Sequence, residues 1–301
     1  MTLCFAPLLR WVLALWHGRR LTLALDATSL QNRFVVLCVS VLVGKSAIPV
    51  AWRVLPAQEK GSWRDEWLTL LDTLAPAVPK TMQTLVLADR GLYARWLYTK
   101  IVALGWHPFL RVNVGGTFRP QGETPFRKLG TLCPLGGDWA GRGTAFQQDR
   151  SLECTLLALW REDCRDPWLI LTDLAPTEAH ASWYRFRAWI EGGFKHLKSG
   201  GWQWQDTRMT CPRRVERVWL PMAIATLLTL SVGEDDPDAP LSPLGRFRRG
   251  RLRLLAWFFG GEKLVWGDLI PEEWDETPTS KRENTPPPEK QTPRAREYLP
   301  Q

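Results

Sequence analysis

Four residues in the stretch YRFRAWIEGGFKHLK, Tyr184, Arg187, Glu191 and Lys198, are of types and spacing that could do chemistry. On a helix turning roughly 100° per residue they fall at about 0°, −60°, −20° and −40°, so all four share one narrow face. Trp189, Ile190, Phe194 and Leu197 fall largely elsewhere. A helix built only to pack would place apolar residues in that stripe. A carboxylate flanked by two cations and a phenol suits a metal ion beside a phosphodiester. The plainer alternative is a solvated face on which Arg187 and Glu191 form an i,i+4 ion pair worth ~0.3 kcal/mol. Gly192 and Gly193 each cost roughly 1 kcal/mol in a helix interior, a cost easier to accept where a backbone or ligand must approach closely.

The spacing of Tyr184, Arg187, Glu191 and Lys198 resembles the YREK signature of IS4-type insertion-sequence transposases, and the IEGGFKHLKSG wording around it is similar too. The resemblance makes Glu191 the third carboxylate of a DDE triad and requires two aspartates upstream. Both candidates exist. LTLALDAT is a short apolar run ending in Asp26, and TLVLADRGLY is another ending in Asp89. A carboxylate at the carboxyl end of a buried strand is held rigidly at a sheet edge, where sites of open α/β sheets form. Taken singly, either Asp could instead cap a turn or helix; the order strand-Asp, strand-Asp-Arg-Gly, helix-Glu argues against that. The likeness runs from about residue 21 to about residue 210.

What the resemblance implies is cut-and-paste transposition of a bacterial mobile element, with or without a DNA hairpin, by two-metal phosphoryl transfer. Asp26, Asp89 and Glu191 would be the catalytic residues and the ligands of two Mg²⁺ ions, with Mn²⁺ able to substitute. Arg187 and Lys198 would position a phosphate, Arg187 bidentately and Lys198 as a point charge. Tyr184 would hydrogen-bond a phosphate in the same row, and Arg90 of the Asp-Arg-Gly triplet would touch DNA. The partners would be the transposon ends and the target DNA, with a dimer assembling on them. Two alternatives stay open: a non-catalytic DNA-binding remnant, and a metal-dependent nuclease of the same fold.

The order of three strands, a helix, then alternating strand and helix is that of an α/β fold, expected here as an RNase H-like mixed sheet flanked by helices, with a β-rich insertion before the last catalytic helix. Strands are expected at 21–25, 34–43 and 47–54, then a helix over 62–74 with Ser62 as N-cap. The Asp89 strand, a helix from 92 to 104 and a strand at 107–113 follow. The Gly- and Thr-rich stretch 114–160 reads as the insertion, preceding a last core strand at 168–174. Its Trp139 and Trp160, with Trp168 beyond it, are candidates for base stacking, although most of the chain's 18 tryptophans must be core.

The remaining divisions are an N-terminal helical segment over 1–20, a catalytic domain over 21–232, an acidic Pro-rich linker over 233–245, a basic segment over 246–271 and a disordered tail over 272–301. RFRRGRLR at 246–253 could contact phosphates or equally form a helix with a solvated face. Only 25 residues precede Asp26, so the usual N-terminal DNA-binding domain of the resembled family is expected to be missing or encoded separately. A net charge of +8 and a pI near 9.4 favour a polyanionic partner. The apolar part of 1–20 is broken by Pro7 and Arg10, so neither a signal peptide nor a membrane span is expected there or elsewhere. Six cysteines without ligand spacing suit a reducing cytosol, beside the nucleoid, and no structural zinc site is expected.

Overall fold

The protein's structure, a computed structural model, describes residues 1–274 apart from 60, 62, 148–150, 234–244, 262, 264 and 265. The expected Ser62 cap, nearly all of the 233–245 linker and most of the 272–301 tail therefore lie outside the described residues.

A helix α1 (Phe5–Ala14) precedes three long strands, β1 (Arg20–Leu30), β2 (Phe34–Val43) and β3 (Ser46–Pro56). Then come α2 (Arg64–Leu74), β4 (Gln83–Ala88), α3 (Arg95–Ala103) and β5 (His107–Arg111). In the sheet these five strands lie in the order β3-β2-β1-β4-β5. β1 and β3 are antiparallel to β2, while β4 and β5 run parallel to β1. That is the RNase H-like order. β2, FVVLCVSVLV, is apolar throughout except for Ser40 because strands flank it and helices cover the sheet, so nearly every residue is buried.

The insertion departs from expectation in one respect. β6 (Thr117–Pro120), β7 (Arg127–Lys128), β8 (Asp138–Ala145), β9 (Leu152–Leu159) and β10 (Trp168–Thr172) all follow the fifth core strand. They extend the same sheet to ten strands, and β10 joins β5 antiparallel. The segment expected as the last core strand therefore belongs to this extension. The physical reason is that β5 would otherwise expose an unpaired edge, which an antiparallel strand covers without a crossover helix.

A 3-10 helix (Ala181–Ala188) leads into α4 (Trp189–Leu197), which packs on β3, β2 and β1. Gly193 is the close approach in that packing, since a Cβ there would meet the Ala47 Cβ at 2.7 Å. α5 (Pro212–Val232) is long and apolar enough to cross a membrane, yet Trp219 and Leu227 on it are fully buried and the helix packs against β3 and the last helix, α6 (Arg246–Gly260). Gly250 of α6 makes that crossing possible, because a Cβ there would lie 1.8 Å from the Thr229 carbonyl oxygen. The three candidate stacking tryptophans are engaged internally. Trp139 packs edge-on against Phe118, Trp168 edge-on against Tyr184, and the Trp160 indole donates to the Cys164 carbonyl.

Candidate active site

β1 and β4 run side by side in register until Leu25 pairs with Ala88. Asp26 and Asp89 are the next residue on each strand, so the end of one parallel ladder delivers two carboxylates to one sheet edge. β1 itself continues to Leu30 along β2, so Asp26 lies within its strand rather than at its end. Each carboxylate is fixed locally: the Ala27 amide donates to Asp26 Oδ1 at 2.9 Å and the Arg90 amide to Asp89 Oδ1 at 2.7 Å.

The expectation of one α-helix carrying Tyr184, Arg187, Glu191 and Lys198 is corrected. Tyr184 and Arg187 belong to the 3-10 helix, Glu191 to the first turn of α4, and Lys198 is the residue after α4, with a non-helical ψ of −98°. The 3-10 segment is capped at its start by His180, whose imidazole accepts from the Ser182 amide. With three residues per turn, positions i and i+3 stand in line, so Tyr184 and Arg187 face the same way. Glu191 gains from its place at the positive end of the α4 dipole.

Arg187 is the hub. Its Nη2 lies 2.7 Å from Asp26 Oδ2 and 3.9 Å from Asp89 Oδ2, and its Nη1 donates to Glu191 Oε1 at 2.5 Å. Residues 26, 89 and 191 are thus gathered on one guanidinium. The side chains grade outward: Arg187 is 11% exposed, Asp26 20%, Asp89 41% and Glu191 67%. Tyr184 is buried, and its hydroxyl donates to Asp89 Oδ1 at 3.2 Å instead of facing a phosphate-binding rim. Arg90 turns toward the insertion, pairing with Asp166 at 3.3 Å. Lys198 makes no ion pair with the carboxylates; burial holds its ammonium below the ordinary value.

The two aspartates are driven apart electrostatically. Burial raises Asp26, and Arg187 offsets only part of that. Burial acts on Asp89 too, but the Arg90 amide, Arg187, the Tyr184 hydroxyl and Arg111 together outweigh it and bring the carboxyl below its ordinary value. Arg187 itself is desolvated, and Asp26, Tyr184, Asp89 and Glu191 more than compensate, so its pKa is raised. Arg111 is a residue that sequence reasoning passed over. It ends β5, one position beyond the Ala88–Leu110 pair, and its guanidinium lies 5.8 Å from the centre of the Tyr184 ring. The signal was available: a cation ending an apolar strand beside the Asp89 strand.

A family model described as the transposase DDE domain matches residues 17–228. The chain belongs to the DDE transposase domain family. Among solved structures it is similar to the piggyBac transposase in a cryo-EM structure of its synaptic complex with hairpin DNA, with 11% identity and a TM-score of 0.42. The match covers 78% of this chain and 51% of that one, so this chain spans about half the length of the transposase it matches. No curated protein matches the chain.

DDE transposase domains generally use divalent metal ions. The donor set here, three carboxylates, is the hard oxygen type such ions favour, and all three already turn toward one cation. As the side chains stand, no three acidic, His or Cys groups among the described residues are placed to hold a metal, because Arg187 sits between the carboxylates. The buried Arg187 Nε is left without a hydrogen-bond partner, so the guanidinium is not fully satisfied by its present contacts.

Proposed function

We propose that this chain is the catalytic domain of an IS4-type DDE transposase that cleaves and joins DNA strands. The reading is supported above all by the gathering of Asp26, Asp89 and Glu191 on Arg187 from three separate parts of the chain. Asp26, Asp89 and Glu191 would hold the divalent ions, Mg²⁺ with Mn²⁺ as substitute. Bound there, the metal supplies Lewis-acid activation of the attacking oxygen and charge stabilisation at the leaving oxygen.

The chain's own groups divide the remaining work. Tyr184 holds Asp89 in orientation through its hydroxyl and keeps that carboxylate ionised. Arg187 neutralises the acids, and with divalent ions held by them its planar fork would be free to take a phosphate bidentately. Lys198, just past the end of α4, would be a further phosphate contact, as would Arg90 on exchanging Asp166 for a phosphate. DNA is the partner, as transposon ends and target, with two copies assembling on it.

The test is nicking of supercoiled plasmid by the full chain with Mg²⁺ or Mn²⁺ and with EDTA. Cleavage that needs the metal and is lost in Glu191→Gln and Asp26→Asn supports the assignment. Cleavage surviving either change would sink it. Cleavage without any strand joining would mark a nuclease of the same fold, and binding without cleavage a non-catalytic remnant.

A further inference from the structure

α6 begins RFRRGRLR, and its five arginines divide between two tasks. Arg246, Arg249 and Arg253 donate to the carbonyls of Leu230, Gly233 and Val232, where α5 ends. Those carbonyls have no partner within their own helix, so the three cations complete the end of α5 and favour its dipole. Arg248 and Arg251 lie between them in sequence and are exposed. Arg248 has no polar partner among the described residues, and Arg251 reaches only the Gly200 carbonyl at 3.4 Å.

Both arginines line a groove of about 1200 Å³ between α6, the β2–β3 turn and α4. Exposed Lys45, Arg185 and Lys195 line it as well. Its floor is the His196 ring stacked on Phe247 at 3.9 Å and 4°. His196 is neutral there, because burial first and Lys195 second push its pKa down to about 4. Glu272 and Glu273 also line the groove, and Glu273 is paired with Arg20 at 3.2 Å, so one side of the groove is strongly cationic. Lys195 follows Glu191 by four residues on α4, which places it one turn, about 6 Å, along the same face. The groove therefore adjoins the carboxylate site.

We propose that this groove is a phosphate track that seats the backbone of duplex DNA running to Asp26, Asp89 and Glu191, with Lys45, Arg185, Lys195, Arg248 and Arg251 as its contacts. The proposal rests on the transposase reading for what lies at the end of the track. A line of exposed cations in a concave channel matches a polyanion with one charge per roughly 1.7 Å of axis, whereas an anionic membrane presents a flat surface. Arg246 and Arg249 also line the groove but are committed to the carbonyls at the end of α5, so Lys195, Arg248 and Arg251 can be altered while those contacts are kept.

The experiment measures binding of the full chain to a labelled random-sequence duplex by fluorescence anisotropy, in EDTA so that no cleavage occurs, across ~50–200 mM salt. One variant carries Lys195→Gln, Arg248→Gln and Arg251→Gln. A control removes the same charge at the far end of α5, with Arg213→Gln, Arg214→Gln and Arg217→Gln, all exposed. The groove variant should bind at least tenfold more weakly, and the slope of log K against log salt should shrink by about 2–3, near 0.9 for each phosphate no longer neutralised. The control should keep wild-type affinity within about threefold. Equal weakening by both variants, or no weakening by the groove variant, overturns the proposal, as does capture of vesicles rich in anionic lipid in preference to duplex. If the wild type binds through the groove yet never cleaves with metal, the catalytic reading fails and the groove stands; if it cleaves while the groove variant binds normally, the reverse holds.

Discussion

Replacing Arg187 by methionine removes the cation on which three carboxylates meet. The Glu191 pair is two-thirds exposed and of the i,i+4 kind, so breaking it costs only about 0.3–0.5 kcal/mol. Asp89 is 3.9 Å away, more open to water, and keeps the Arg90 amide and the Tyr184 hydroxyl, so its share is also under about 1 kcal/mol. Asp26 decides the magnitude. It is four-fifths covered, contacts Arg187 at 2.7 Å, and would be left with the Ala27 amide alone. Stranding one member of a buried pair costs about 3–5 kcal/mol, and partial exposure brings the expected total to about 2–3 kcal/mol at pH 7 without metal. The sign with pH follows. Asp26 already sits above its ordinary 3.8 in the folded state, and removing Arg187 raises it further. The folded variant then binds the proton more tightly than the unfolded chain does, so its stability deficit shrinks as pH falls from 7 toward 4.5. Urea unfolding in EDTA at both values measures this. Adding Mg²⁺ at about ten times its dissociation constant should return about 1.4 kcal/mol to the variant, more than to the wild type, because ions then replace the missing guanidinium. A variant as stable as wild type at pH 7, or a deficit that ignores pH, would refute the account of Arg187 as the neutralising hub.

Tyr184→Phe removes one donor from Asp89 and should cost about 0.5–1.5 kcal/mol. Asp89 lies below its ordinary value, so that difference should be present in full above 3.8 and fade as the pH falls through the lowered folded value, as read from paired urea titrations. Gly250→Val drives a side chain into the Thr229 carbonyl and should lower stability by about 1–3 kcal/mol or more, whereas Arg248→Gln on the exposed face of the same helix should change it by less than about 0.5; thermal melts compare them. His196 has its folded pKa depressed to about 4, so the stability it lends is complete above its ordinary 6.5 and is lost as pH falls through that window. The decrease, discounted for its partial exposure, is about 1–2 kcal/mol, and His196→Gln should flatten that part of the stability–pH curve.

Much of the architecture follows from local pattern. Apolar runs bounded by turns mark β1 to β5, and an acid at the end of each of two apolar runs places Asp26 and Asp89, because the parallel ladder between β1 and β4 ends at Leu25 and Ala88 and puts the next residues side by side, although β1 itself runs on to Leu30 along β2. The spacing of Arg187 and Glu191 likewise survives the change from α to 3-10 helix at residue 188, since both geometries bring residues three or four apart to one face. Lys198 is different: seven residues from Glu191, its place depended on an unbroken helix, and α4 ends at Leu197. Whether 168–172 completes the core or extends it is a matter of which edge is left open, and that is settled only when β5 and β10 meet. The split among the α6 arginines is also a tertiary fact. Five like residues in RFRRGRLR carry no local sign of their duties, and it is the carbonyl end of α5, contributed from earlier in the chain, that claims three of them and leaves Arg248 and Arg251 exposed along the groove. Residue type and spacing determined which groups could do chemistry; long-range packing decided which of them meet.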